Sequence, residues 1–159
     1  MDLYGGIPIN IVSTQYSLKY KALEIIHSGC DGICPECHSK ELWDFDLGSP
    51  LVTWLKRFED KFNRFNNMID MVFIYGGEPL LQTEYELLEL IKYVKRKKKE
   101  IVLFTRFEID EVHDEVKNVV DYIKTGTYDT TKKEKVIYYG ITLETSNQKV
   151  WKKDNDKWI

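Results

Sequence analysis

Five consecutive apolar residues, Met71–Tyr75, stand between Asp70 and the pair Gly76-Gly77, and no longer apolar run occurs among the 159 residues. A short run that is apolar on both faces suits a central strand of a parallel sheet, and parallel strands need long crossover connections that are usually helical. The flanking sequence offers such helices. Before the run, Leu51, Trp54, Leu55, Phe58, Phe62 and Phe65 recur at three- and four-residue steps and end near Asn66-Asn67, with Lys56, Arg57, Glu59, Asp60, Lys61 and Arg64 on the opposite, solvated face. Ser49-Pro50 reads as the start of that helix, Ser as N-cap and Pro at the first helical position. After the run, Thr83 and Glu86 have the spacing of a capping box ahead of Leu87, Leu88, Ile91 and Val94. That helix ends in Lys95–Lys99, five cations read as a solvated end favoured by the helix dipole.

Further strands are expected around Ile9–Ser17, over Lys21–His27, Ile101–Thr105, Val119–Lys124 and Val136–Leu143, with a short helix capped by Asp110 and running to Lys117. Tyr128–Lys135 reads as polar turn, and Trp151–Ile159 as a charged tail with two tryptophans. Alternation of strand and helix gives an α/β fold, and the units are too few to close an eight-stranded barrel. The expectation is a partial (β/α) barrel of roughly five to six mostly parallel strands with helices on the outer face, forming one domain over residues 1–159. A formal net charge of −3 and pI ≈ 5.7 give no basic footprint for nucleic acid. The longest apolar run is far short of the ~20 residues that span a bilayer, and Met1–Asn10 lacks a signal-peptide pattern, so a cytoplasmic protein without a membrane partner is expected.

All three cysteines, Cys30, Cys34 and Cys37, lie within eight residues. An odd and tightly clustered set is no disulfide framework and reads as metal ligands. Three thiolates can hold three corners of an iron–sulfur cube and leave one iron open for chemistry, whereas electron-transfer clusters use four cysteines. The alternative is a zinc-binding module with His38 or His27 as fourth ligand. In the expected topology the cysteine loop, Gly76-Gly77-Glu78-Pro79 and Thr105-Arg106 all follow strands, which collects them on the carboxyl edge of the sheet. Glycines there let backbone come close to a ligand, while Glu78 and nearby carbonyls offer acceptors to a cationic amino group.

The segment from Cys30 to His38, with spacing Cys-x3-Cys-x2-Cys, together with Gly76-Gly77-Glu78-Pro79 at a strand end, resembles the radical S-adenosylmethionine superfamily. Within it the chain is similar to the activating proteins of anaerobic ribonucleoside-triphosphate reductase. That likeness rests on Cys37-His38 with Glu41–Asp44, Leu103–Glu108, Val120–Gly126 and Leu143–Gln148, and covers about His27 to Lys149. The chain departs from the pattern at Arg106, where Gly is usual, and at Thr145, where Ser is usual. The resemblance implies a 4Fe-4S cluster on Cys30, Cys34 and Cys37, with S-adenosyl-L-methionine on the fourth iron. It implies Glu36, His38, Gly76, Gly77, Glu78, Pro79 and Thr105 as cofactor-binding residues, His38 beside the cluster or adenine and not on iron. Ser146 and Asn147 would serve partner docking or the cofactor. The implied activity is installation of a glycyl radical on the reductase large subunit, with flavodoxin or another low-potential donor supplying electrons. An activase of another glycyl-radical enzyme, or a small-molecule enzyme of the superfamily, is the alternative.

Overall fold

The computed structural model describes residues 8–32, 34, 37 and 39–159. Thirteen regular elements are assigned within them. They are β1 (Asn10–Ser17), β2 (Ala22–His27), β3 (Ser49–Pro50), α1 (Leu51–Phe65), β4 (Met71–Gly76), α2 (Glu84–Lys95) and β5 (Glu100–Phe104). Then come α3 (Asp114–Lys117), β6 (Tyr122–Thr125), β7 (Lys133–Tyr138), β8 (Ile141–Thr145), β9 (Lys149–Asp154) and β10 (Lys157–Trp158). Eight strands make one mixed sheet in the order β10-β9-β6-β5-β4-β2-β1-β3, and β7-β8 form a separate two-stranded sheet. Its centre, β2-β4-β5-β6, is parallel, and β1 and β3 on one side and β9 and β10 on the other are antiparallel additions.

Each parallel strand after β2 is laid on the outer side of the one before it, with a helix between. Winding in one direction with crossovers of one hand puts all the helices on one face. The buried side chains agree: Trp54, Phe58 and Phe62 of α1, Leu87, Ile91 and Val94 of α2 and Val116 of α3 share one core with Leu23, Ile25, Val72, Ile74, Ile101, Leu103 and Ile123 of the sheet. Alternate residues of the same strands, Ala22, Phe73, Val102 and Tyr122, form a second core with Ile141, Leu143 and Val150. The β7-β8 hairpin therefore covers the face opposite the helices. Its turn, Tyr139-Gly140, has φ of 53° and 82°, the two positive values that a type I′ turn requires.

Several expectations are corrected. Ser49 is not the cap of α1: Ser49-Pro50 pairs with Asn10 and Ile11 as β3, and Pro50 stands at the N-cap with no side-chain bond. No capping box forms at Thr83, because Glu86 is turned to accept from the Ile9 amide at 3.2 Å. A capping box does occur at Glu108 and Glu111, ahead of α3, which starts at Asp114 and not at Asp110. Val136–Leu143 is no single strand but the hairpin just described, and Trp151–Ile159 is no tail, since β9 pairs with β6 and β10 with β9. The cations after α2 are partly tied, Lys95 to Asp121 at 2.9 Å and Lys97 to Glu59 at 2.5 Å. Among the described residues no helix is long and apolar enough to cross a membrane.

Candidate metal and cofactor site

The carboxyl ends of the four parallel strands surround a cavity of about 240 Å³. The chain leaving β2 supplies Cys30, Cys34 and Cys37, that leaving β4 Gly76, Gly77 and Glu78, that leaving β5 Thr105 and Arg106, and the end of β6 Lys124 and Gly126. Open parallel sheets bind ligands at this edge because strand ends there give way to loops whose polar groups are unpaired.

The two glycines shape this edge through backbone. Gly77 donates its N–H to the His27 carbonyl and Glu78 to the Gly29 carbonyl, both at 2.9 Å, which continues the β2-β4 ladder past the strand ends. Gly76 has φ of +136°, and a Cβ there would stand 2.2 Å from the His27 oxygen. At Gly77 it would stand 2.3 Å from the Gly29 oxygen. The absent side chains thus let two backbone segments touch, and the cysteine loop begins from that contact. Its return is fixed by Gly29 N–H to Leu42 O at 2.7 Å and Cys30 N–H to Trp43 O at 3.4 Å.

Glu78 is buried and fully engaged. Its carboxylate accepts from the Thr105 hydroxyl at 2.8 Å, the Arg106 amide at 2.7 Å and the Leu80 amide at 2.9 Å. Burial raises its pKa, and these donors oppose the rise. The carboxylate therefore ties the end of β4 to the end of β5, and Thr105 serves that tie. Pro79 is buried at the first position of the turn Pro79–Leu81 and does not line the cavity.

The thiols are half-buried. Burial raises the pKa of Cys30 and Cys34, with Arg106 countering it at both and Lys124 at Cys34. Since a ligating thiol must lose its proton, loading this site would release protons. Cys37 Sγ accepts from the Ser39 amide at 3.4 Å, and Cys30 Sγ from Arg106 Nη1 at 3.5 Å. Three thiols facing one cavity beside two cations, with amide and guanidinium donors on sulfur, are a donor set that suits an anionic cluster.

His27, the zinc alternative's buried histidine, does not line the cavity. It lies on the helix-side face, Nδ1 against Ser28 O at 2.9 Å and Nε2 without a partner among the described residues, and burial lowers its pKa to about 4. Glu36 and His38 lie outside the described residues. Ser146 is exposed, and Asn147 donates through Nδ2 to Thr127 O at 2.8 Å, neither lining the cavity, whereas their neighbour Gln148 does. The β8-β9 loop stands on the cavity edge nevertheless, because Lys149 pairs with Thr125 at the end of β6.

Arg106 and Lys124 are the cationic side chains among the described lining residues, and sequence reasoning assigned neither a role in the site. Lys124 donates to Gly126 O at 2.8 Å, and burial lowers its pKa to about 8. A lysine inside the parallel strand Tyr122–Thr125 was a readable signal, since such strands are buried on both faces.

Three free cysteine thiols thus line one cavity with two cations at the carboxyl edge of the parallel strands. The chain belongs to the 4Fe-4S single cluster domain family, whose sequence model matches residues 22–153. No curated protein matches the chain.

Proposed function

We propose that this 4Fe-4S protein is a radical S-adenosylmethionine activase that installs a glycyl radical on the large subunit of an anaerobic ribonucleoside-triphosphate reductase. The observation that carries the reading is the convergence of Cys30, Cys34 and Cys37 with Gly76, Gly77, Glu78 and Thr105 on one cavity. Held by Cys30, Cys34 and Cys37, a 4Fe-4S cluster would supply low-potential one-electron chemistry toward S-adenosylmethionine, the source of the oxidising power needed to remove a hydrogen from a glycine Cα. The chain's own residues bind, orient and exclude water. Cys30, Cys34 and Cys37 would hold three irons. The Gly76-Gly77 backbone, held by its bond to the end of β2, and the Glu78 tie fix the cavity wall, with Tyr75 and Phe104 as its apolar part. The β8-β9 loop, with Ser146 and Asn147, supplies rim at which a partner's glycine loop enters. The one-sided helices and the hairpin over the other face support a partial (β/α) barrel as the scaffold.

The test is anaerobic reconstitution followed by reduction with dithionite in the presence of S-adenosylmethionine. The expected results are 5′-deoxyadenosine and methionine as products, and a glycyl radical signal by electron paramagnetic resonance when the reductase is added. Cluster-loaded protein that yields no 5′-deoxyadenosine overturns the enzyme reading, and 5′-deoxyadenosine without a glycyl radical overturns the choice of partner.

A further inference from the structure

Arg106 sits at the end of β5 in a geometry that the Glu78 tie does not require. The tie uses the Arg106 amide, while the side chain crosses the cavity mouth to the cysteine loop. There it meets Asp31 through two parallel bonds, Nη1 to Oδ1 at 2.5 Å and Nη2 to Oδ2 at 2.7 Å. The same Nη1 stands 3.5 Å from Cys30 Sγ. The guanidinium also rests on the Phe107 ring, 4.9 Å from its centroid, and is only 10% exposed against 42% for Asp31. Its position is thus over-determined: a fork on one carboxylate, a ring beneath, and one nitrogen, Nη1, donating to both the carboxylate and the sulfur.

We propose that Arg106 sets the reduction potential of the cluster held on Cys30, and that Asp31 limits how far it does so. One electron from an external low-potential donor adds one negative charge to the cluster, with no bond made or broken. A buried cation donating to a ligand sulfur stabilises the more negative, reduced form more than the oxidised one. Asp31, whose Oδ1 lies 3.8 Å from the same sulfur, acts in the opposite sense. Because the carboxylate is the more exposed partner, solvent screens it more than it screens the guanidinium, and the pair acts on the cluster as a net positive charge. The inference rests on the iron–sulfur reading alone and not on the reductase as partner.

Equilibrium redox titration of anaerobically loaded protein, followed by visible absorbance and electron paramagnetic resonance with iron and sulfide measured per chain, tests it without turnover. Arg106→Gln removes the cation and is expected to disfavour the reduced state about tenfold, which for one electron is a potential about 59 mV more negative. Asp31→Asn removes the opposing charge and is expected to move the potential upward. Arg106→Lys, which keeps the charge without the fork, is expected to stay between Arg106→Gln and wild type. A residue that only pins the loop would lower cluster content in Arg106→Gln and Asp31→Asn alike and leave both potentials at the wild-type value. That result, or shifts of the same sign, overturns the proposal. Should Arg106→Gln take up no cluster, Asp31→Asn decides alone: no shift or a downward one refutes it.

Discussion

The two edges of the central sheet each carry an Asp paired with a basic side chain. At the amino edge Lys95 meets Asp121 at 2.9 Å with the side chains 44% and 28% exposed, and Lys97 meets Glu59 across the helices. At the carboxyl edge Arg106 meets Asp31 bidentately, is largely buried, and shares its donor with a cysteine sulfur. Solvent surrounds the first kind of pair and takes most of its energy. The second faces a cavity of about 240 Å³ together with three thiols, a half-buried lysine and a buried glutamate. Charged groups at one edge thus fasten elements together, and at the other they form the wall of a binding site.

The largest expected effect is at the carboxyl edge. Changing Cys30, Cys34 or Cys37 singly to Ala should abolish cluster binding, measured as iron and acid-labile sulfide per chain; retention of the cluster in all three variants rules out the ligand assignment. Next comes Gly76→Ala, which sets a Cβ against the His27 carbonyl at a φ of +136°. Strain and collision together should cost roughly 3–5 kcal/mol in unfolding free energy and take cluster content with it. Gly140→Ala, at φ of +82° with open space around it, should cost only about 1 kcal/mol. Equal losses in the two would mean that the contact between the ends of β2 and β4 is unimportant.

His27 gives an effect that depends on pH. Its folded pKa of about 4 lies below the ordinary 6.5 because burial disfavours the cation. The unfolded chain therefore binds a proton that the folded chain refuses. This contribution is present in full above pH 6.5 and is lost as pH falls toward 4, in total on the order of 3 kcal/mol. Urea unfolding at pH 7 and pH 5 should show the wild type losing more stability than His27→Gln, and parallel losses would contradict it. The smallest effect belongs to the amino edge. Lys95→Ala should cost less than about 1 kcal/mol and leave cluster content unchanged, and a larger loss by thermal unfolding would erase the distinction between the edges.

Much of the site was readable because its residues are close in sequence or punctuate strands. Cys30, Cys34 and Cys37 are a local pattern, and Gly76-Gly77 follows the longest apolar run. Glu78 was readable as a site residue, but not its bonds: a carboxylate for a ligand's amino group and a carboxylate tying two strands have the same sequence. The glycines were read as room for a ligand, while the structure gives that room to the backbone of His27 and Gly29.

What the sequence determined by itself is whatever periodicity and local spacing encode: the strands β1, β2, β4, β5 and, within its bounds, β6, the helices α1 and α2, and a cysteine loop on the carboxyl edge. Tertiary structure alone decided the rest. The antiparallel strands β9 and β10 are mostly polar, so only the pairing of β9 with β6 and of β10 with β9 marks them as strands. Arg106, 75 residues from Asp31, became part of the site because parallel winding sets the end of β5 beside the end of β4, and the Gly77–Gly29 contact draws in the loop after β2. Periodicity is a property of one segment, whereas a shared cavity depends on which segments the sheet order makes neighbours.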